Sequence, residues 1–313
     1  MSTTLHQDLV EDATITTRID LHRSGCSCAL HGRRLFTGLL AGAAATAALP
    51  ALARDGVEVG GNSKFTKLVS AEQVESAAQE QYLQMRQEAS SKRALAPANH
   101  PQQQRLQAIA DRLIPYTYEW NPRARNWTWQ VSLIGSKELN AFCMPGGKIA
   151  FYLGILQTLQ LSDEEVAMIM GHEMAHALRE HARERMGKQT ATRGAIELGA
   201  AIFGLGGLAR SAADIGGQLL TLKYGRDDES EADLVGMELA ARSGYNPRAG
   251  VSLWQKMAEA SKGAPPQFLS THPSSSTRIQ DIEANLPKVE PLYARAARPP
   301  RVFGPPSLRG AAG

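Results

Sequence analysis

His172-Glu173-Met174-Ala175-His176 is the stretch on which the reading of this chain turns. On a helix, two histidines four positions apart project from one face about one turn apart, roughly 6 Å. Ring nitrogens at that separation can share one zinc ion. Glu173, one step round the helix, can then take a proton from a metal-bound water. The bland alternative is a surface helix with two solvated histidines. The flanking residues argue against it. Ser162-Asp163-Glu164-Glu165 has the form of a capping box, and Glu165 to Met170 supplies helix formers with an apolar face that seats the helix in a core.

A zinc ion held by two histidines needs a third protein ligand and keeps one position for water. The HExxHxxGxxH arrangement is absent, because Arg179 stands where the glycine would be. His181 falls on a different face of the helix and reads as a surface residue. A carboxylate from a later helix is the natural alternative, and Arg226-Asp227-Asp228-Glu229-Ser230-Glu231-Ala232-Asp233 is the best region for it. Glu229 and Asp233 share a helix face, so one can bind the ion while the other hydrogen-bonds a ligand imidazole from behind. Spacing does not choose between them.

Cysteine takes no part. The chain has 3 cysteines. Cys26 and Cys28 lie in the N-terminal segment, which leaves Cys143 alone in the remainder. Neither an internal disulfide nor a cysteine zinc cage can form there, and Cys143 reads as a small buried hydrophobe.

The 313 residues carry 34 Lys+Arg against 31 Asp+Glu, a net charge of +3, with 43% hydrophobic and 6% aromatic residues. A chain of this size and composition buries a real core. The weak charge and the scarcity of aromatics argue against a nucleic-acid partner.

Residues 31–53, HGRRLFTGLLAGAAATAALPALA, read as a cleavable export signal. Arg33-Arg34 precedes a mild Ala/Gly/Leu stretch, and Ala51-Leu52-Ala53 has small residues at positions −3 and −1 for cleavage after Ala53. The Arg-Arg-Leu-Phe start resembles a twin-arginine signal, which places the mature protein in the periplasm. Residues 54–100 form a lead-in and a helix opened at Ser70. Residues 101–286 hold the catalytic domain, and residues 287–313 read as a Pro-rich flexible tail. Within the domain, Gln102–Ile114 reads as a helix, while Trp127–Ile134 and Lys148–Leu153 read as strands. Met144-Pro145-Gly146-Gly147 is turn chemistry. Further helices are expected near residues 228–243, 247–260 and 274–285. Gly194–Leu220 is apolar without a sharp helical period, and its run Leu198–Leu208 is too short to span a bilayer. It reads as a lid over the cleft, a patch in peripheral contact with a membrane, or a packed connector.

These markers, taken together, resemble the zinc metallopeptidases that include HtpX, the CAAX prenyl protease and periplasmic BepA and LoiP. The matching segments come in the family's order: Asn140-Ala141-Phe142-Cys143-Met144-Pro145-Gly146-Gly147, His172-Glu173-x-x-His176, Arg226-x-x-Glu229-Ser230-Glu231-Ala232-Asp233, and His272-Pro273 with Arg278 six residues after the histidine. The resemblance covers roughly Gln102 to Leu286 and is closest to the compact members, with no helical-repeat domain after it. It implies an α+β, mainly helical domain of zincin-like (gluzincin) type, with a small β-sheet and the HExxH helix. It further implies one zinc ion on His172, His176 and Glu229, with Asp233 behind a ligand histidine and Glu173 as general base. His272 would bind substrate or cap the zinc, Arg278 would stabilise the oxyanion, and Asn140 would lie on the substrate-side edge strand. The implied activity is hydrolysis of unfolded or misassembled envelope proteins. The competing expectation is a chaperone-like binding protein whose zinc site is held shut by His272.

Overall fold

The computed structural model describes residues 54–201, 212–262, 266–273 and 277–307. The export signal expected over residues 31–53, with its expected cleavage point after Ala53, lies outside them.

The helix carrying the HExxH stretch is the axis of the domain. It runs from Asp163 to Leu178, and all of its residues except Glu164 are buried. A helix apolar on every face belongs inside a core, with protein on all sides. Its start is fixed twice over. Glu165 N donates to Ser162 Oγ at 3.3 Å while Ser162 N donates to Glu165 Oε2 at 2.9 Å, the reciprocal capping box expected from sequence. Arg105, fully buried, then clamps the first turn: its Nε donates to Asp163 Oδ1 at 2.6 Å and its Nη2 to Leu161 O at 2.7 Å.

In chain order the helices are α1 (Ala71–Ser91), α2 (Pro101–Leu113), α3 (Leu153–Thr158), α4 (Asp163–Leu178), α5 (His181–Ala201), α6 (Ala212–Thr221), α7 (Arg226–Arg242), α8 (Ala249–Ala260), α9 (Gln267–Thr271) and α10 (Arg278–Arg295). Three strands, β1 (Gln130–Ile134), β2 (Ala141–Met144) and β3 (Lys148–Tyr152), form a sheet in the order β1-β3-β2. β1 pairs parallel to β3, from Gln130 opposite Lys148 to Ile134 opposite Tyr152. β2 returns antiparallel from Ala141 opposite Phe151 to Met144 opposite Lys148. Gly146 and Gly147, at φ of +80° and +77°, make the turn between β2 and β3. β2 is therefore an edge strand of this sheet, and α4 packs directly against it.

On its other side α4 meets α7, and the two backbones touch. A Cβ at Gly171 would stand 2.6 Å from Gly236 O, and one at Gly236 would stand 2.5 Å from His172 N. Glycine in a helix interior is unfavourable by about 1 kcal/mol relative to Ala. Two facing glycines here give the close crossing that brings α7 carboxylates to the α4 histidines. Gly236→Ala is accordingly expected to destabilise the fold by about 1–3 kcal/mol despite its better helix propensity, because the methyl would press on backbone. Thermal unfolding of the variant checks this; an unchanged or raised midpoint would contradict it.

One expectation changes. As far as residue 307 the chain past Pro287 is not a loose tail: α10 continues through Pro287 and Pro291 to Arg295. Both prolines are exposed, while Ile282, Leu286, Val289 and Leu292 are buried on the opposite face. An interior proline costs roughly 3 kcal/mol, whereas burying each of those four side chains contributes about 1.5–3 kcal/mol. Burial wins. Beyond the helix, Phe303 N and Gly304 N donate to Asp163 Oδ2 and Oδ1 at 2.7 and 3.1 Å, fastening the chain to the start of α4. Residues 194–220 are in part helical, in α5 and α6, and α6 packs on α1. Residues 202–211 of that stretch are not described. No described helix is long and apolar enough to cross a membrane.

Candidate metal centre and cleft

Four side chains converge where α4, α7 and the end of α9 meet: His172, His176, Glu229 and His272, all buried, each offering a donor atom within 4.8 Å of the others. His172 Nε2 and His176 Nε2 stand 3.0 Å apart. Glu229 Oε2 is 3.5 Å from His172 Nε2, and its Oε1 is 3.5 Å from His176 Nε2. His272 Nδ1 lies 3.0 Å from Glu229 Oε1 and 3.3 Å from His172 Nε2. Donors about 2.0–2.1 Å from a tetrahedral zinc ion stand about 3.3 Å from one another. Nitrogen and carboxylate donors at these separations fit zinc.

Each α4 histidine is held from behind through its Nδ1. His172 Nδ1 meets Asp233 Oδ1 at 3.0 Å. Arg278 then locks that carboxylate, with Nε 2.7 Å from Oδ2 and Nη2 2.6 Å from Oδ1, while its Nη1 reaches Glu229 Oε2 at 2.7 Å. The guanidinium also lies over the Trp254 ring, 3.5 Å from its centroid. Arg278 is 2% exposed and is committed to two carboxylates of α7, Asp233 behind His172 and the donor Glu229. It does not line the cleft, so the oxyanion role expected for it gives way to one of orienting Asp233 and Glu229.

His176 is held by a residue read from the sequence as a surface group. His181 is 1% exposed, and its Nδ1 lies 2.9 Å from His176 Nδ1. The expectation assumed one continuing helix. Instead Arg179 ends α4, and Glu180, at φ +59°, turns the chain before α5 begins at His181. That turn swings His181 back against His176. Tyr224 stacks on a face of the His176 ring, with ring centroids 3.9 Å apart.

Glu173 faces the donors from the cleft side. Its Oε1 is buried without a hydrogen-bond partner among the described residues, and His272 Nε2 approaches it only to 3.5 Å. An unpartnered buried carboxylate oxygen beside a donor cluster is where a water or a reacting group would sit. Burial raises the Glu173 carboxyl above its usual range, partly offset by the charges of His272 and His172. Burial also works to lower His172, but the hydrogen bonds and charges of Asp233 and Glu229 outweigh it and hold the imidazole at about 9. His176 is pushed well below the ordinary histidine value by burial and by the nearby His172 charge. Burial would raise Glu229, and its hydrogen bonds to His172 and His272 turn the balance strongly downward.

The cleft is bounded by Asn140, Phe142 and Met144 on the β2 side, by Glu173 and His272, and by Leu220, Leu222 and Tyr224 opposite. Its cavity of about 30 Å³ has room for a water or two and none for a peptide. Asn140 immediately precedes β2, with its Oδ1 accepting from Ala141 N at 3.0 Å. Cys143 is buried in β2, which pushes its thiol up, away from thiolate chemistry. Sequence reasoning missed His181, Tyr224 and Trp254. Only His181 left a trace, a third histidine close behind the motif.

Comparison with known proteins agrees with this geometry. The model of the family described as Peptidase family M48 matches residues 100–286. The chain is 31% identical over 199 residues to the mitochondrial metalloendopeptidase OMA1 of Schizosaccharomyces pombe, covering 63% of this chain and 56% of that protein. It is 30% identical over 203 residues to the metalloprotease LoiP of Escherichia coli, covering 64% and 77%. It is 28% identical over 171 residues to the beta-barrel assembly-enhancing protease of Yersinia pestis, covering 51% and 35%. The match thus spans about half the length of the fission-yeast protein and about a third of the Yersinia one.

Proposed function

The chain belongs to peptidase family M48, and on that premise we propose that it is a zinc-dependent endopeptidase of the bacterial cell envelope, cutting unfolded or misassembled envelope proteins. The observation that carries the reading is the buried cluster of His172, His176, Glu229 and His272 with the unpartnered Glu173 Oε1 beside it. The relatives, a metalloendopeptidase and two proteases by name, support the same chemistry. The export pattern of residues 31–53 supports the compartment.

His172 Nε2, His176 Nε2 and a Glu229 oxygen would hold the ion. Zinc bound there supplies a Lewis acid that lowers the pKa of water and polarises a peptide carbonyl. Glu173 Oε1 takes the proton from the attacking water, and its burial-raised affinity lets it keep that proton until the leaving amine collects it. Asp233 and Arg278 keep His172 and Glu229 in place throughout. An extended substrate lies along the edge of β2 that no described strand pairs with, held by backbone hydrogen bonds that read little sequence, with Asn140 at the start of that edge. Cleavage of an unfolded polypeptide such as casein is expected to stop on chelation and return with added zinc. Cleavage that survives exhaustive chelation would contradict the proposal.

A second reading, a chaperone-like protein with a shut site, has one observation in its favour. His272 Nδ1 already stands among the donors, and the cavity is too small for a peptide. We treat this as a closed state of the peptidase. His272→Ala is then expected to raise the rate of casein cleavage several-fold with zinc retained. A zinc-loaded parent and a zinc-loaded His272→Ala variant that both fail to cut would favour the binding protein.

A further inference from the structure

We infer that His181 and Glu231 are positioning residues for the metal ligand His176, setting its tautomer through an imidazole-to-carboxylate relay. The inference rests on the zinc reading of the site and goes beyond its ligand set. His176 turns Nε2 toward His172 Nε2, 3.0 Å away, so a neutral imidazole that binds metal through Nε2 carries its proton on Nδ1. That Nδ1 lies 2.9 Å from His181 Nδ1. One of two facing ring nitrogens must donate and the other accept. His176 donates, so His181 Nδ1 is the bare one and its proton sits on Nε2. There it has a partner: Glu231 Oε2 at 3.1 Å. Arg179 Nε donates to the other oxygen, Glu231 Oε1. Arg179 also donates to the backbone oxygen of Gly60, so the relay extends to the lead-in segment.

Every hydrogen in this chain has one arrangement compatible with metal on His176 Nε2. Reversing the first bond would put a proton on His176 Nε2, where the ion must bind, and would leave His181 Nε2 bare against a carboxylate. The relay therefore disfavours the wrong tautomer of His176 at both ends. It is the counterpart of Asp233 behind His172, with an imidazole inserted between ligand and carboxylate. The backbone is shaped for it. Glu180 at φ +59° breaks α4 from α5 one residue before His181, and without that turn the imidazole would leave the α4 face.

Partners of ligand histidines typically change metal affinity by 10- to 100-fold when removed. The test is the zinc dissociation constant by chelator competition, with visible absorption of the cobalt-substituted protein as a second readout of ligand geometry. Both are run alongside thermal unfolding of the metal-free chains. His181→Ala is expected to weaken zinc roughly 10- to 100-fold and to alter the cobalt spectrum. His181→Gln, which keeps an acceptor and a donor on one side chain, is expected to recover part of the loss. Glu231→Gln, which keeps an acceptor for His181 and removes the charge, is expected to fall between parent and His181→Ala. A His181→Ala chain with parental zinc affinity and cobalt spectrum would overturn the inference, as would a loss confined to metal-free stability. A parent that binds no zinc at all would instead remove the zinc reading on which both stand.

Discussion

Glu173→Gln is expected to keep zinc at the parent's stoichiometry and to lose cleavage of unfolded polypeptide by roughly a hundred- to ten-thousand-fold, the usual contribution of a general base. The swap is nearly isosteric, so the packing of α4 survives. Glu173 is outside the cluster of four donors, so its charge is not needed to hold the ion. The amide cannot accept a proton, and no other carboxylate among the described residues lining the cleft replaces it. Stability gives a second check. Burial makes the ionised Glu173 carboxylate unfavourable in the fold. A folded value above the unfolded one means that this group detracts from stability once the pH passes the unfolded carboxylate range. The neutral variant is therefore expected to unfold, metal-free and near neutral pH, at or above the temperature of the parent. A variant that cuts at the parental rate would remove Glu173 from the chemistry. Loss of zinc together with activity would make it a ligand instead.

The second large effect is expected at Arg278. Its guanidinium binds Asp233 through two nitrogens and Glu229 through a third, 2% exposed and stacked on Trp254. Arg278→Ala leaves two buried carboxylates without their cation. Removing one member of a buried charge cluster costs about 3–5 kcal/mol, a fall on the order of 10 °C in the unfolding midpoint of a chain this size. Zinc affinity is expected to fall with it, because Glu229 and, through Asp233, His172 lose their orientation. Arg278→Lys keeps a charge without the planar fork, so it restores less than full affinity. An oxyanion donor would behave otherwise. A variant that folds and binds zinc like the parent, with only its turnover reduced, would return Arg278 to the cleft.

What the sequence reveals here is what helical periodicity controls. The one-face spacing of His172 and His176, the capping box at Ser162 and the shared face of Glu229 and Asp233 are local properties, and each is present in the structure. The choice between the two carboxylates is not local. It depends on how α7 crosses α4 at Gly171 and Gly236 and on which oxygen Arg278 takes. His181 escaped because one left-handed residue, Glu180, interrupts the period on which a facing argument relies. α10 escaped for the opposite reason. Its prolines signal a break, and the buried apolar face that overrides them is visible only when the neighbouring helices are in place. β2, with four residues, is too short to announce itself by alternation; only the family resemblance implied an edge strand beside Asn140, and the pairing with β3 defines it. Tyr224 and Trp254 reach the site from loops and helices whose spacing carries no chemical signature.

The most direct test of the central claim is the metal content of the purified chain, measured by elemental analysis beside a His176→Ala variant. One zinc per parent chain, with little or none in the variant, is the expected result. A parent that takes up no zinc when offered it, or a variant that keeps the full complement, would contradict a zinc centre built on His172, His176 and Glu229.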